Sequence, residues 1–159
     1  MKFNKTGITL NGEMEGPIGE SCTLFSFKLD GVTEIALDMT KVTQINSIGV
    51  KNWISWTMRI PKSCQVAITN CPYVIANQAS MVMGFVTPNF RIESFRAPFI
   101  CDDCGAEETH ILFRGTHYEY AQDGLSRKIK MPIDMICGKC KKGKLEPDFL
   151  VEKTFKFLG

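Results

Sequence analysis

The sequence predicts an α/β protein in which a mixed sheet covered by helices is followed by a small β-rich metal-binding unit. Three observations predict it. Apolar runs of strand length alternate with segments of helical spacing over residues 1–96, as in a sheet with helices packed on it. Four of the seven cysteines fall in two C-x-x-C pairs, Cys101/Cys104 and Cys137/Cys140. The composition changes at "FRAPFICDDCG", after which both pairs and both histidines occur. A boundary is expected there, with one unit over 1–96 and a second over 97–159.

The elements follow in order. "GITLNGEM" alternates and reads as a strand. "SCTLFSFKLDG" carries Leu24, Phe25 and Phe27 ahead of the Asp30-Gly31 turn and reads as a short helix. "TEIALDM" is a buried strand. "SIGVKNWISWTMRI" sets Val50, Trp53, Ile54 and Thr57 at helical spacing, and Pro61 ends it. "CQVAIT" is another strand. "CPYVIANQASMVMGF" is a helix with Pro72 near its start and Gly84 near its end. "FRIESF" is the last strand of the first unit. In the second, "THILFRG" reads as a strand. "DFLVEKTFKFLG", with Phe149, Val151, Phe155 and Phe157 at odd positions, reads as a half-buried strand.

The bulk numbers narrow the function. Of 159 residues, 44% are hydrophobic and 23% charged, ordinary for a soluble globular protein. The net charge is +2, with 9 basic and 7 acidic side chains over 1–96 and 10 of each over 97–159. Charge alone makes no case for nucleic acid or membrane. No apolar segment follows Lys2 as in a secretory signal, and no run reaches the roughly 18 residues of a membrane span. The expected location is the cytoplasm. An odd number of cysteines excludes a fully paired disulfide framework within one chain, and in a reducing compartment the C-x-x-C spacing favours metal. Cys22, Cys64 and Cys71 lie in apolar surroundings and are expected to be small core residues.

Each C-x-x-C can form a tight turn whose amides point at the thiolates, with Gly105 and Gly138 supplying conformational freedom. Two such turns bring four sulfurs to a tetrahedron. The expectation is one structural zinc held by Cys101, Cys104, Cys137 and Cys140. A region this small buries little apolar surface, so the metal would supply much of its folding energy. Neither pair sits at the strand-to-helix joint of a redox motif, although the spacing also admits an iron–sulfur cluster. His110 and His117 read as partly exposed residues in or near a strand. As a fold this half resembles a zinc ribbon. "RKIK" and "KCKKGK" lie near the second knuckle, so Lys141, Lys142 and Lys144 are candidate phosphate contacts. "CDDC" and "AEE" put acids on the other knuckle, and a charge run of this kind is usually a solvated face.

Four stretches of the first unit, in order and spacing, resemble the STAS domain of bacterial anti-sigma factor antagonists and sulfate-transporter tails. They are "GEME" (12–15), "IALDMTKVTQINSIGVKNW" (35–53), "VAITNCPYVIANQASMVMGF" (66–85) and "RIESF". The resemblance implies a STAS-like sheet over about residues 5–96. It also implies a partner-binding surface whose serine, Ser47 here, is phosphorylated by a partner kinase, with Glu15 as the acidic residue nearby. Asn46 stands where the family has aspartate, and Ile48 where it often has serine or threonine.

Physical chemistry allows two roles for Ser47: an N-cap whose hydroxyl accepts a first-turn amide, or a phosphosite at the positive end of a helix. Asn46 is the other candidate cap. Trp56 either joins Trp53 in the core or lies on a helix flank as a partner surface. Glu15, Asn46, Ser47, Gly49, Lys51 and Trp56 thus outline a candidate surface for a protein partner, a kinase or an anti-sigma-like regulator. No nucleophile–base pair, paired carboxylates or phosphate-cradling glycine loop is present. The expected function is a non-enzymatic interaction module in bacterial signalling. The alternative is a zinc ribbon that binds nucleic acid.

Overall fold

The computed structural model describes residues 1–122 and 125–159. It is a mixed α/β protein. The chain opens with a hairpin of β1 (Lys2–Thr6) and β2 (Thr9–Ile18). Gly7, at φ 60°, starts the two-residue turn, as a type II′ hairpin requires. A 3₁₀ turn over Thr23–Ser26 stands where the short helix was expected. The chain continues through β3 (Glu34–Ile45), α1 (Ser47–Thr57), β4 (Gln65–Thr69), β5 (Cys71–Pro72), α2 (Tyr73–Met81) and β6 (Phe90–Ile92). The first sheet has the order β1-β2-β3-β4-β6, antiparallel at β1/β2 and parallel elsewhere.

Register explains which face is buried. Leu10, Ile35, Val66 and Phe90 lie abreast across four strands, and Leu37, Ile68 and Ile92 form the next row. All are buried. Trp53 and Trp56 of α1 pack on these rows, Trp53 stacked on Phe85 at 5.4 Å and Trp56 edge-on to Phe90 at 6.2 Å. The Trp53 indole donates to Phe85 O at 2.7 Å, closing the segment after α2 over α1. Burial of aromatic side chains this large dominates the local energetics.

The expected "FRIESF" strand divides at Glu93. Phe90–Ile92 stays in the first sheet, and β7 (Ser94–Cys101) becomes the centre of a second. On one side β7 pairs with β8 (Glu107–Phe113). On the other it pairs with β5 and with β11 (Leu145–Pro147). A short hairpin, β9 (Tyr118–Glu119) with β10 (Lys128–Ile129), lies between β8 and β11 in sequence. The division expected at 96/97 therefore falls inside β7, and β5 places residues from the first stretch in the second sheet.

The C-terminal segment corrects the sequence reading. Residues 148–159 were expected to be a half-buried strand, but within them the chain forms α3 (Val151–Thr154) and a 3₁₀ turn over Phe155–Leu158. Alternation would bury Lys153 and expose Thr154, whereas Lys153 is exposed and Thr154, Phe155 and Leu158 are buried. That spacing is helical. The segment docks on α2: the Ser80 hydroxyl donates to Thr154 O and accepts from Phe157 N. Phe155 meets Phe95 of β7 at 5.9 Å and Tyr118 of β9 at 5.3 Å, which joins the second sheet and the β9/β10 hairpin in one aromatic cluster. Cys22, Cys64 and Cys71 are buried, as expected.

Candidate metal centre and the start of helix α1

The sulfurs of Cys101, Cys104, Cys137 and Cys140 all lie within 4.8 Å of one another. Cys101 and Cys140 are 3.7 Å apart, and Cys104 and Cys137 3.8 Å. These separations are far beyond the ~2.05 Å of a disulfide. They match the edge of about 3.8 Å that a tetrahedron acquires with metal–sulfur bonds of about 2.3 Å. The donor set therefore fits a tetrahedral metal ion. Cys101 and Cys137 are buried, Cys140 is half-buried and Cys104 is exposed.

The two turns share one construction. Gly105 N donates to Cys101 O and Lys141 N to Cys137 O, each at 3.0 Å. Amides also point at sulfur: Cys104 N to Cys101, Lys139 N to Cys137 and Gly143 N to Cys140, at 3.3–3.5 Å. The residue after each second cysteine is left-handed, Gly105 at φ 67° and Lys141 at φ 60°. Gly105 thus plays the part expected of it. Gly138 does not: its φ is not positive, and the conformational demand falls on Lys141. A non-glycine residue in this region costs about 1 kcal/mol. Lys141→Gly is accordingly expected to hold metal at least as firmly as wild type and to raise the melting temperature by a few degrees, measured by metal analysis and thermal denaturation.

Three further residues build the site, and none carried a sequence signal. A Cβ on Gly143 would collide with the Cys101 sulfur and lie 2.6 Å from Asp103 Cβ. Glycine is therefore imposed by the approach of the other knuckle. Glu108 Oε1 accepts Gly138 N at 2.6 Å, tying the second turn to β8. Asp102 Oδ1 accepts Lys144 N at 2.7 Å, and Asp102 N donates to Lys144 O. The two histidines stand apart from the sulfurs: His110 contacts Glu108 at 3.3 Å, and His117 Nδ1 accepts Phe113 N at 2.9 Å.

Packing four thiols this closely divides their acidities. The amides of Gly143 and Lys142 bring Cys140 down to about 7. The Cys140 amide pulls Cys137 down, but burial, the Cys101 thiol and the Glu108 carboxylate push it up to about 12. Four thiolates cannot share this space without a cation among them.

The candidate surface at α1 is only partly assembled. Asn46 is the N-cap, its Oδ1 accepting Gly49 N at 2.8 Å. Ser47 is therefore not the cap. It is the first helical residue, exposed, and its hydroxyl makes no hydrogen bond among the described residues. Ile48 and Lys51 are exposed beside it, while Gly49 is buried against Ile18 O. Trp56 is fully buried, which removes it from any partner surface. Glu15 is not at the serine. It lies opposite Lys41, whereas Ile18 and Ile45 lie at the helix start, about 10 Å farther along the strand. Its carboxylate binds the α-amino group of Met1 at 2.7 Å, the main cause of its lowered pKa.

Of the three candidate lysines, Lys144 is bound to Asp134 at 2.6 Å. Lys141 and Lys142 are exposed and make no ion pair among the described residues. Among the described residues no helix is long and apolar enough to cross a membrane. No known protein family, curated protein or solved structure matches this chain.

Proposed function

We propose that the protein is a non-enzymatic, STAS-like interaction module of bacterial signalling, acting in the cytoplasm, with one structural zinc in a ribbon-like C-terminal half. The observation that carries this reading is the division of roles at the start of α1. Asn46 caps the helix, so the Ser47 hydroxyl is left exposed beside Ile48 and Lys51 with no hydrogen bond among the described residues. A phosphate on Ser47 would meet the positive end of the helix, where added negative charge is tolerated without unfolding. The partner would be a kinase or an anti-sigma-like regulator that reads this surface. Zinc is preferred because four thiolates in a tetrahedron leave no open coordination position, as in closed structural sites.

The test is capture of partners from the source cell on wild type, Ser47→Ala and Ser47→Asp. A partner retained by the first two and lost with the aspartate is expected. Identical partner sets on all three would refute the surface. Native mass spectrometry is expected to find one zinc per chain.

Lys141 supports a second reading, because it takes a conformation that favours glycine and stands exposed with no ion pair among the described residues. With Lys139 and Lys142 it would contact the phosphates of a single-stranded nucleic acid. On that reading Lys141→Gly, while keeping its zinc, weakens salt-dependent retention on such a strand.

A further inference from the structure

β8 lies at an edge of the second sheet, with β7 on one side and no strand on the other among the described residues. The bonds at the two ends of its ladder fix which way its backbone faces. Arg114 N donates to Glu93 O, and Cys101 N donates to Ala106 O. Both pairs fit the β7/β8 register, in which Ser94 lies opposite Phe113 and Ile100 opposite Glu107. Hydrogen-bonded and non-bonded pairs alternate in an antiparallel ladder. The even-numbered residues of β8 therefore bond to β7, and Glu107, Thr109, Ile111 and Phe113 turn their N–H and C=O groups outward. Phe113 is satisfied by the following turn, through His117 Nδ1 and the amides of Thr116 and His117. Glu107, Thr109 and Ile111 find no main-chain partner on that side among the described residues.

Other edges are guarded or short. β1 carries Lys2 and Lys5, β6 has 3 residues, and β11 has 3 and ends on Pro147. These are the usual devices against edge pairing. β8 has 7 residues, no proline and no lysine, and its Ile111 and Phe113 are 40% and 49% exposed.

We propose that two copies of this chain pair through β8, antiparallel, about a two-fold axis at Thr109. The choice of a second copy follows from self-complementarity. Only the register centred on Thr109 lets the three outward-facing residues meet one another: Glu107 opposite Ile111, Thr109 opposite Thr109, and Ile111 opposite Glu107. Each pair exchanges two bonds, so all six free backbone groups are satisfied. On the other face the same register sets Glu108 of each copy opposite His110 of the other, and no like charges meet. The joined strands make one sheet continuous across both copies, an isologous interface.

The test is sedimentation of the full metal-loaded chain over a concentration series. Wild type is expected to pass from monomer to dimer. Thr109→Lys places two ammonium groups directly opposite each other on the axis, yet changes only an exposed side chain in the monomer. It is expected to weaken the dimer about fivefold at low salt and to recover at high salt. Thr109→Pro removes the axial donors and is expected to stay monomeric, with zinc content and circular dichroism unchanged. Wild type that remains monomeric at every concentration overturns the proposal. So does Thr109→Lys that associates as wild type does at low salt.

Discussion

Cys137→Ser is expected to abolish metal binding and to melt one half of the second sheet while leaving the other half folded. The reasoning starts from the position of Cys137, fully buried between the amide of Lys139 and the sulfur of Cys104. A serine hydroxyl there is neutral and hard where the proposed zinc needs a soft anion. With the ion gone, Cys101 and Cys140 lose the charge that lets them stand 3.7 Å apart as thiolates. The loss is on the order of 5 kcal/mol for the four-cysteine half.

β7 predicts where the damage stops. Its first residues are held without metal, because Phe95 packs against Phe149 and Phe155 and lies abreast of Cys71. Its last residues, Phe99–Cys101, have β8 on one side and β11 on the other, and the β11 side is held through Lys144 and Asp102 beside the knuckles. Hydrogen exchange is expected to rise over 99–104 and 135–147 and to hold over 94–97. Removing metal with a chelator from wild type is expected to reproduce the same map, and more readily as pH falls, because the ligands must be deprotonated to bind. Full protection over 99–101 and 145–147 in a metal-free chain would show that four neighbouring thiols suffice.

How much of this was legible in the sequence depends on how local each cause is. The four cysteines were legible because C-x-x-C is a local turn. Helix α1 was legible because Val50, Trp53, Ile54 and Thr57 repeat at its own period. Strand β1 was not, because Phe3 is its only apolar residue and it stays half-buried, which leaves no alternation to read. It forms because β2 offers it a partner. The hand-over at Glu93 was hidden for a related reason: Glu93 N bonds Ile68 O while Glu93 O accepts Arg114 N, so two distant strands decide where one ends and the next begins. Gly143 reads as a turn residue among lysines, yet its necessity comes from Cys101, brought there by folding. Glu108 reads as one more acid, and its role exists only once Gly138 arrives. In the last segment, odd-numbered aromatics satisfied two periods at once, and docking on α2 chose the helical one.

Gly49→Ala tests the same lesson at the other site, and there a local rule and a tertiary one predict opposite signs. Inside a helix, alanine is favoured over glycine by about 1 kcal/mol, so propensity alone predicts a gain. Packing predicts a loss. A Cβ at position 49 would strike the carbonyl oxygen of Ile18 and lie 2.8 Å from its carbon. Those atoms are main chain and cannot rotate away. Ile18 is paired with Ile45, and its oxygen accepts Asn46 N at 3.2 Å, so moving it would disturb the strand end and the cap together. Lifting α1 instead would pull Trp53 from its place against Phe85. Overpacking against fixed backbone costs about 3 kcal/mol net. In a chain of this length that lowers the melting temperature by roughly 6–12 °C, readable by thermal denaturation. Gly19→Ala supplies the contrast, because the atoms its Cβ would meet first belong to the Asn46 side chain, Nδ2 at 3.0 Å, and a side chain can yield. Metal content should be untouched in both variants, which separates this effect from the four-cysteine site. If Gly49→Ala melts at or above wild type, the close seating of α1 on the end of β2 is wrong, and with it the account of why Asn46 caps the helix and leaves Ser47 exposed.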